Sequence, residues 1–292
     1  MIRLFIALVT FAVISSLARA GAVDDAKQCE RSSGIEAIQL CTKAIRSGDL
    51  STEEQANSYI NRGIKFNEMG DRARAIDDFS RALSMKPFLV ETLLARGALY
   101  LATGSRHLAY TDFGLAIRID PNDARGYLAR GLLILSDGNA ELALSDISEA
   151  VRLAPNDPSA FKYRALIFLS KRQYELAISD LKTVICLTPD DAEAVLHLAK
   201  ALNNQAWSLV RAGAASQDNA NKAVSLALEA VALFNGAETL ETLAASYAAA
   251  GRFDDAVATQ ERMIELLRAA GNPVEAAESR LELYRYGQAY RE

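Results

Sequence analysis

ANSYINRGIKFNEMGDRARAIDDFSRALSMKPFL (residues 56–89) is followed by VETLLARGALYLATGSRHLAYTDFGLAIRIDPND (90–123), ARGYLARGLLILSDGNAELALSDISEAVRLAPND (124–157) and PSAFKYRALIFLSKRQYELAISDLKTVICLTPDD (158–191). Each segment is 34 residues long, and the segments align without a gap. Gly63, Gly97, Gly131 and Ala165 share one column; Ala75, Ala109, Ala143 and Ala177 share a second; Pro87, Pro121, Pro155 and Pro189 share a third. Gly70, Gly104 and Gly138 divide each segment in two, as a left-handed residue does at the end of a helix, and Arg172 stands in that column of the fourth. Each segment therefore predicts helix, turn, helix, turn, and the turn of the fourth is expected to close differently. Small residues let the two helices of a segment approach. Tyr59, Tyr127 and Phe161, then Phe66, Tyr100, Ile134 and Phe168, then Phe79, Phe113, Ile147 and Leu181, recur at helical spacing and are expected to be core.

Outward from this block the pattern loosens. Beyond Asp191 a longer helix is predicted from Ala192 to about Ala212. A divergent unit at 204–236 follows, with Trp207 in a core slot and a polar turn from Gly213 to Asn219, and a second at 237–270. Residues 192–270 thus form an extended helix with two divergent units, and 271–292 a capping helix started by Pro273. On the other side, residues 21–55 predict an N-terminal helical cap: a polar, irregular start, a helix over Asp24–Arg31 carrying Cys29, and a helix over Ile35–Ile45 carrying Cys41. Ser51 and Glu54 form a capping box for the first repeat helix.

Residues 1–20 have the build of a secretory signal: Arg3, an apolar run from Leu4 to Leu17, then Ala18-Arg19-Ala20. The run is short for a bilayer, which takes about 20 apolar residues. Secretion across an inner membrane into a periplasm is the expectation, with no stable membrane insertion once the signal is removed. An oxidising compartment favours a Cys29–Cys41 disulfide, the alternative being two buried free thiols. Cys186 is then left over, expected as a small buried residue of a helix.

The formal net charge is -5, and removal of Arg3 with Arg19 takes it to -7. Such a balance argues against nucleic acid as a partner. His107 and His197 have no metal-like spacing to other ligands, and no phosphate-binding loop or nucleophile elbow is present. No metal, no cofactor and no catalytic residue is assigned, and the chain is expected not to be an enzyme.

A period of 34 with these columns resembles the tetratricopeptide (TPR) repeat. Asn61-Arg62-Gly63 with Ala75-Ile76-Asp77-Asp78, and the cysteine pair behind the leader, are similar to small exported bacterial TPR proteins. So is the stretch Asn204–Ile264 with Ala206-Trp207 and Thr242-Leu243-Ala244. The resemblance implies an all-α fold, a right-handed TPR superhelix or α-solenoid of about six helix-turn-helix units with capping helices at both ends. It also implies partner binding on the inner face made by the first helices. The family's clamp for a terminal carboxylate is missing: Ile60, Ile64, Ala95 and Ala129 stand where its polar residues belong, and only Arg125 fits.

The inner positions are instead Ile60, Ile64, Leu94, Ala98, Leu101, Leu128, Leu132, Leu135, Leu166 and Leu169, edged by Asn57, Glu91, Arg125 and Lys162. They predict an apolar groove for a partner peptide or helix. The expected function is a protein-binding scaffold; the alternative is a self-associating module that forms homo-oligomers. Two further columns carry charge: Arg62, Arg96, Arg130 and Arg164, and Asp78, Asp112, Asp146 and Asp180. Repeated in every unit, they predict structural ion pairs.

Overall fold

The computed structural model describes residues 2–211 and 216–290, with the backbone alone for residues 2–15. The apolar leader side chains up to residue 15, and Gly213–Ala215 of the expected polar turn, lie outside the described residues. The described residues form fifteen helices and no strand. Two compact units divide the chain, Met1–Leu153 and Ala154–Glu292.

The first unit contains α1 (Ile2–Arg31), α2 (Gly34–Ser47), α3 (Thr52–Glu68), α4 (Arg72–Met85), α5 (Val90–Ala102), α6 (Arg106–Ile119), α7 (Ala124–Ser136) and α8 (Ala140–Leu153). The second contains α9 (Pro158–Ser170), α10 (Tyr174–Leu187), α11 (Ala192–Arg211), α12 (Gln217–Leu233), α13 (Ala237–Ala249), α14 (Phe253–Ala269) and α15 (Glu275–Arg285). Within each unit consecutive helices pack, and α1 also meets α3, α5 meets α7, and α11 meets α13.

Helix starts follow local side-chain chemistry. Ser51 and Glu54 close the capping box on α3. Asp71, Asp123 and Asp157 accept backbone N–H bonds at the starts of α4, α7 and α9. Helix ends follow the glycine column: Gly70, Gly104 and Gly138 have φ of 80°, 81° and 83°. Arg172 adopts the same left-handed turn, at φ 57°. Its N–H donates to Leu169 and that of Gln173 to Phe168, the pattern Gly70 and Asp71 make with Asn67 and Phe66. The fourth turn thus closes as the others do, and the backbone of Arg172 bears the strain.

Helix pairing depends on the small column. A Cβ on Gly63 would lie 2.8 Å from a ring carbon of Phe79, and one on Gly97 2.5 Å from Phe113. In the fourth segment Ala165 has its methyl, and the facing residue is the smaller Leu181, fully buried. Each such buried side chain contributes about 1.5–3 kcal/mol. The aromatic columns are less uniformly core than their spacing suggests. Tyr59 and Phe66 are buried, but Tyr100, Tyr127, Ile134, Phe161 and Phe168 are half-buried, as is Trp207.

Rings of these columns, buried and half-buried, flank arginines. Arg62 lies near Tyr59 and Phe66, Arg96 near Tyr100, and Arg164 near Phe161 and Phe168. Each guanidinium forks onto the aspartate of the partner helix: Arg62 on Asp78, Arg96 on Asp112, Arg130 on Asp146 and Arg164 on Asp180, every bond 2.7–2.8 Å. The aspartates are buried, Asp78 at 2% exposure. Pairing with the carboxylate pushes the Arg62, Arg96 and Arg130 guanidinium groups above their ordinary pKa. Two arginines also reach back to the preceding helix, Arg62 donating to Thr42 at 2.9 Å and Arg96 to Ser80 at 3.0 Å. At the position that follows Ser80 by 34 stands Gly114, a bare backbone facing Arg130.

Three further expectations change at the edges. The first helix is continuous from Ile2 to Arg31, because no proline interrupts its Ala- and Leu-rich sequence, so residues 21–23 are helical rather than irregular. The last helix begins at Glu275, since Pro273 precedes Val274 outside the helical turn. Cys186 is exposed on α10 rather than buried, because the core side of that helix is taken by Ala177, Leu181 and Val184. Cys29 and Cys41 are both fully buried and lie at disulfide distance, their Cα atoms 5.2 Å apart, joining α1 to α2.

Two outcomes follow for stability. Asp112→Ala strands a mostly buried guanidinium and is expected to cost about 3–5 kcal/mol in urea unfolding, whereas Arg96→Leu combined with Asp112→Ala costs clearly less than that. A double-mutant cycle that finds the two changes additive removes the ion pair as a stabilising unit. Arg172→Gly relieves a left-handed residue that costs roughly 1–2 kcal/mol in a non-glycine, so its urea midpoint is expected to rise; an unchanged or lower midpoint refutes the strain.

Candidate functional site

In the first unit the inner positions belong to α3, α5 and α7. They face two ways. Ile60 packs against Phe66 and Phe79 on one side and Tyr59 and Ala82 on the other. Leu94 joins the clusters around Leu83 and Phe113, and Leu101 with Ala129 joins the latter. Ile60, Leu94, Leu101, Leu128, Leu132 and Leu135 are accordingly half-buried. Their inward edges are core, and their outward edges meet solvent. Ile64, at 41% exposure, and Ala98 are the inner apolar positions that stand free of the core. Asn57 is exposed beside them.

The charges at the edge are committed inside the chain. Arg125 forks onto Asp123 at 2.7–3.0 Å and also donates to Glu91 at 3.3 Å, one helix pair earlier. Asp123 and then Glu91 push its guanidinium pKa up, and Arg125 holds Asp123 below the usual carboxylate range. Glu91 and Arg125 lie 34 residues apart, so the same bond that neutralises the edge ties α5 to α7. The cation at this edge is therefore already matched, by two carboxylates, within the chain.

In the second unit α9 supplies Lys162, Leu166 and Leu169, all half-buried. Leu169 packs with the cluster around Ala165, Leu181 and Leu198. Lys162 is gripped by Glu193, at 2.5 Å, and by Asp191, at 3.1 Å. Glu193 is the larger cause raising the lysine pKa. Asp191 is lowered first by the Ala194 N–H and then by Lys162, while Glu193 is lowered by Lys162. The sequence placed Lys162 at an edge but not its partners. Asp191 and Glu193 belong to the next helix start, where an acidic pair after a proline is ordinarily a cap.

The remaining reactive side chains do not converge. His107 is exposed, and His197 is half-buried 3.7 Å from Glu193. Among the described residues no group of three His, Cys, Asp or Glu side chains is arranged to hold a metal ion. The buried aspartates are each saturated by an arginine fork, so none is poised for proton transfer to a ligand.

Comparison with protein-family models finds no match, and comparison with curated proteins finds none either. Solved structures do match. The C-terminal part of a TPR repeat-containing protein from Cytophaga hutchinsonii aligns with a TM-score of 0.57 at 18% identity, over 84% of this chain and 93% of that one. PilF from Pseudomonas aeruginosa aligns with a TM-score of 0.53 at 17% identity, over 76% of this chain and 94% of that one. YrrB, described as a TPR protein with an unusual peptide-binding site, aligns with a TM-score of 0.51 at 20% identity, over 67% of this chain and 92% of that one. At these identities the likeness concerns the fold. Together with the period of 34 and its paired helices, it shows that this chain has the tetratricopeptide-repeat fold.

Proposed function

We propose that the chain is an exported, non-enzymatic scaffold that holds an apolar or amphipathic segment of another protein against the inner face of α3, α5 and α7. The observation that carries this reading is the exposure of Ile64 and Ala98 among half-buried leucines, next to an edge whose one arginine is already paired with carboxylates of the chain. A surface of that kind favours an apolar or amphipathic ligand over a charged tail. That YrrB is described as having a peptide-binding site is consistent with the same use of the fold.

Export fits the N-terminal geometry. Residues 16–20 are exposed, Leu17 at 67%. The contacts that fix the cap start later: Ala22 is buried, Asp25 accepts from Lys43, and Cys29 meets Cys41. Arg19 pairs with Glu54 across 3.7 Å, a long ion pair, whereas the Lys43–Asp25 bond and the Cys29–Cys41 pair lie wholly beyond residue 20. An oxidising compartment then matches the cysteine pair.

Arg125 and Lys162 are poor sites for testing the groove, because charge reversal there breaks internal ion pairs. Ile64→Asp with Ala98→Asp changes exposed positions instead. This variant is expected to lose at least ten-fold of the protein captured from a periplasmic extract, with its urea midpoint little changed; undiminished capture rules the groove out. Export is read from the mass of the protein recovered from a periplasm. The expected chain begins at Gly21 with Cys29 and Cys41 oxidised, and recovery of a chain retaining residues 1–20 contradicts it.

A further inference from the structure

In the second unit the segment after the last helix packs back onto a core cluster. Helix α15 ends at Arg285, and Gly287 then turns the backbone at φ 68°. The Gly287 N–H donates to the Tyr284 carbonyl at 3.0 Å, and the Gln288 N–H to Leu283 at 2.9 Å. This turn sends Ala289 and Tyr290 back onto a cluster that includes Leu243, Ala244, Tyr247 and Ala248 of α13 and Tyr284 of α15. The Tyr290 ring comes to 4.7 Å from the Arg280 guanidinium carbon. Arg280 is itself held by Glu241 of α13. Beneath the segment Tyr284 is 1% exposed, and burial pushes its hydroxyl up to about 12.

These features separate a rigid receptor from a weakly held occupant. The receptor is made of buried helix positions and an ion-paired arginine. Beyond Gln288 the occupant makes no backbone hydrogen bond among the described residues. Among the described residues, beyond Gln288 it is held by one half-buried ring, an adjacent alanine and a cation–π contact. Ala244 and Ala248 of α13 are the small members of the cluster on which the Tyr290 ring packs. An arginine beside that cluster suits the face of such a ring.

We propose that Arg280, Tyr284 and the alanine-rich face of α13 form a docking site for an extended peptide segment bearing an aromatic side chain, and that Gly287–Tyr290 is its resident, displaceable occupant. The site lies in the second unit and does not depend on the groove proposed for α3, α5 and α7. Its ligand is defined by an aromatic anchor, where the first groove takes an apolar face.

The test uses the full chain and a fluorescently labelled synthetic peptide of residues 286–292, YGQAYRE, with anisotropy as the readout. Tyr290→Ala in the protein vacates the site. That variant is expected to bind the peptide saturably, and the wild-type chain and the Tyr290→Phe chain at least ten-fold more weakly. Replacing the tyrosine at position 290 of the peptide by alanine is expected to abolish binding. Adding Arg280→Leu to the Tyr290→Ala chain is expected to weaken binding about ten-fold. Equal binding by wild type and Tyr290→Ala, or none by a Tyr290→Ala chain whose circular dichroism and urea midpoint match wild type, overturns the proposal. Loss of cooperative unfolding in Tyr290→Ala also overturns it, since Tyr290 is then core rather than a replaceable occupant.

Discussion

The arginine–aspartate fork is the constraint on which the repeat block depends. A buried carboxylate is tolerated only when it is paired and hydrogen-bonded. In each of the four regular segments the pair is met by an arginine sixteen residues earlier on the partner helix. The fork has fixed directions, so it sets the rotation and height of one helix against the other as well as their separation. The small residue that follows each arginine then allows close contact at the same level. Charge and volume are specified by adjacent positions, and moving either one displaces the other.

The same economy shapes the inner face. Residues that border it are joined to each other: Glu91 to Arg125, and Lys162 to Asp191 and Glu193. Helix-to-helix ties use up the charges that a carboxylate-binding array would aim at its ligand. What remains is an apolar surface shared between core and solvent, in which side chains such as Leu94 and Leu101 serve both. Specificity on such a surface comes from shape and apolar match, with little electrostatic steering.

Much of this was legible in the sequence, because the repeat supplies four independent readings of each column. Helix limits, the glycine turns and the arginine and aspartate columns all recur, and a recurring residue has a structural cause. What was not legible had one copy or none. Cys186 has no counterpart in its column to show which side of α10 it takes. Arg172 shows that a column's geometry persists after its glycine is gone, since the flanking helices impose it. The partners of Lys162 come from a helix start whose acids also have a capping role. The inner positions were assigned by register, but their half-burial depends on how neighbouring helices lean, and a linear pattern does not encode that. The fold-back of Tyr290 has no repeat to announce it.

Gly114 gives the first unit an uneven joint. The arginine of one segment reaches back to a hydroxyl on the helix before it at Thr42 and again at Ser80, so α2 is laced to α3 and α4 to α5. Between α6 and α7 that lace meets bare backbone, and the tie is made instead by Arg106, which donates to the Leu133 carbonyl and the Ser136 hydroxyl and pairs with Asp137. Glycine inside α6 also lowers the intrinsic stability of that helix by about 1 kcal/mol relative to alanine. In an array whose strength is a sum of neighbour terms, a tie lost at one position can be replaced at another. The first unit therefore changes its fastening along its length, from arginines of α3 and α5 that reach back to an arginine of α6 that reaches forward. With the Glu91–Arg125 bond, that keeps α7 fastened to both α5 and α6, and the inner face they share stays continuous across the glycine.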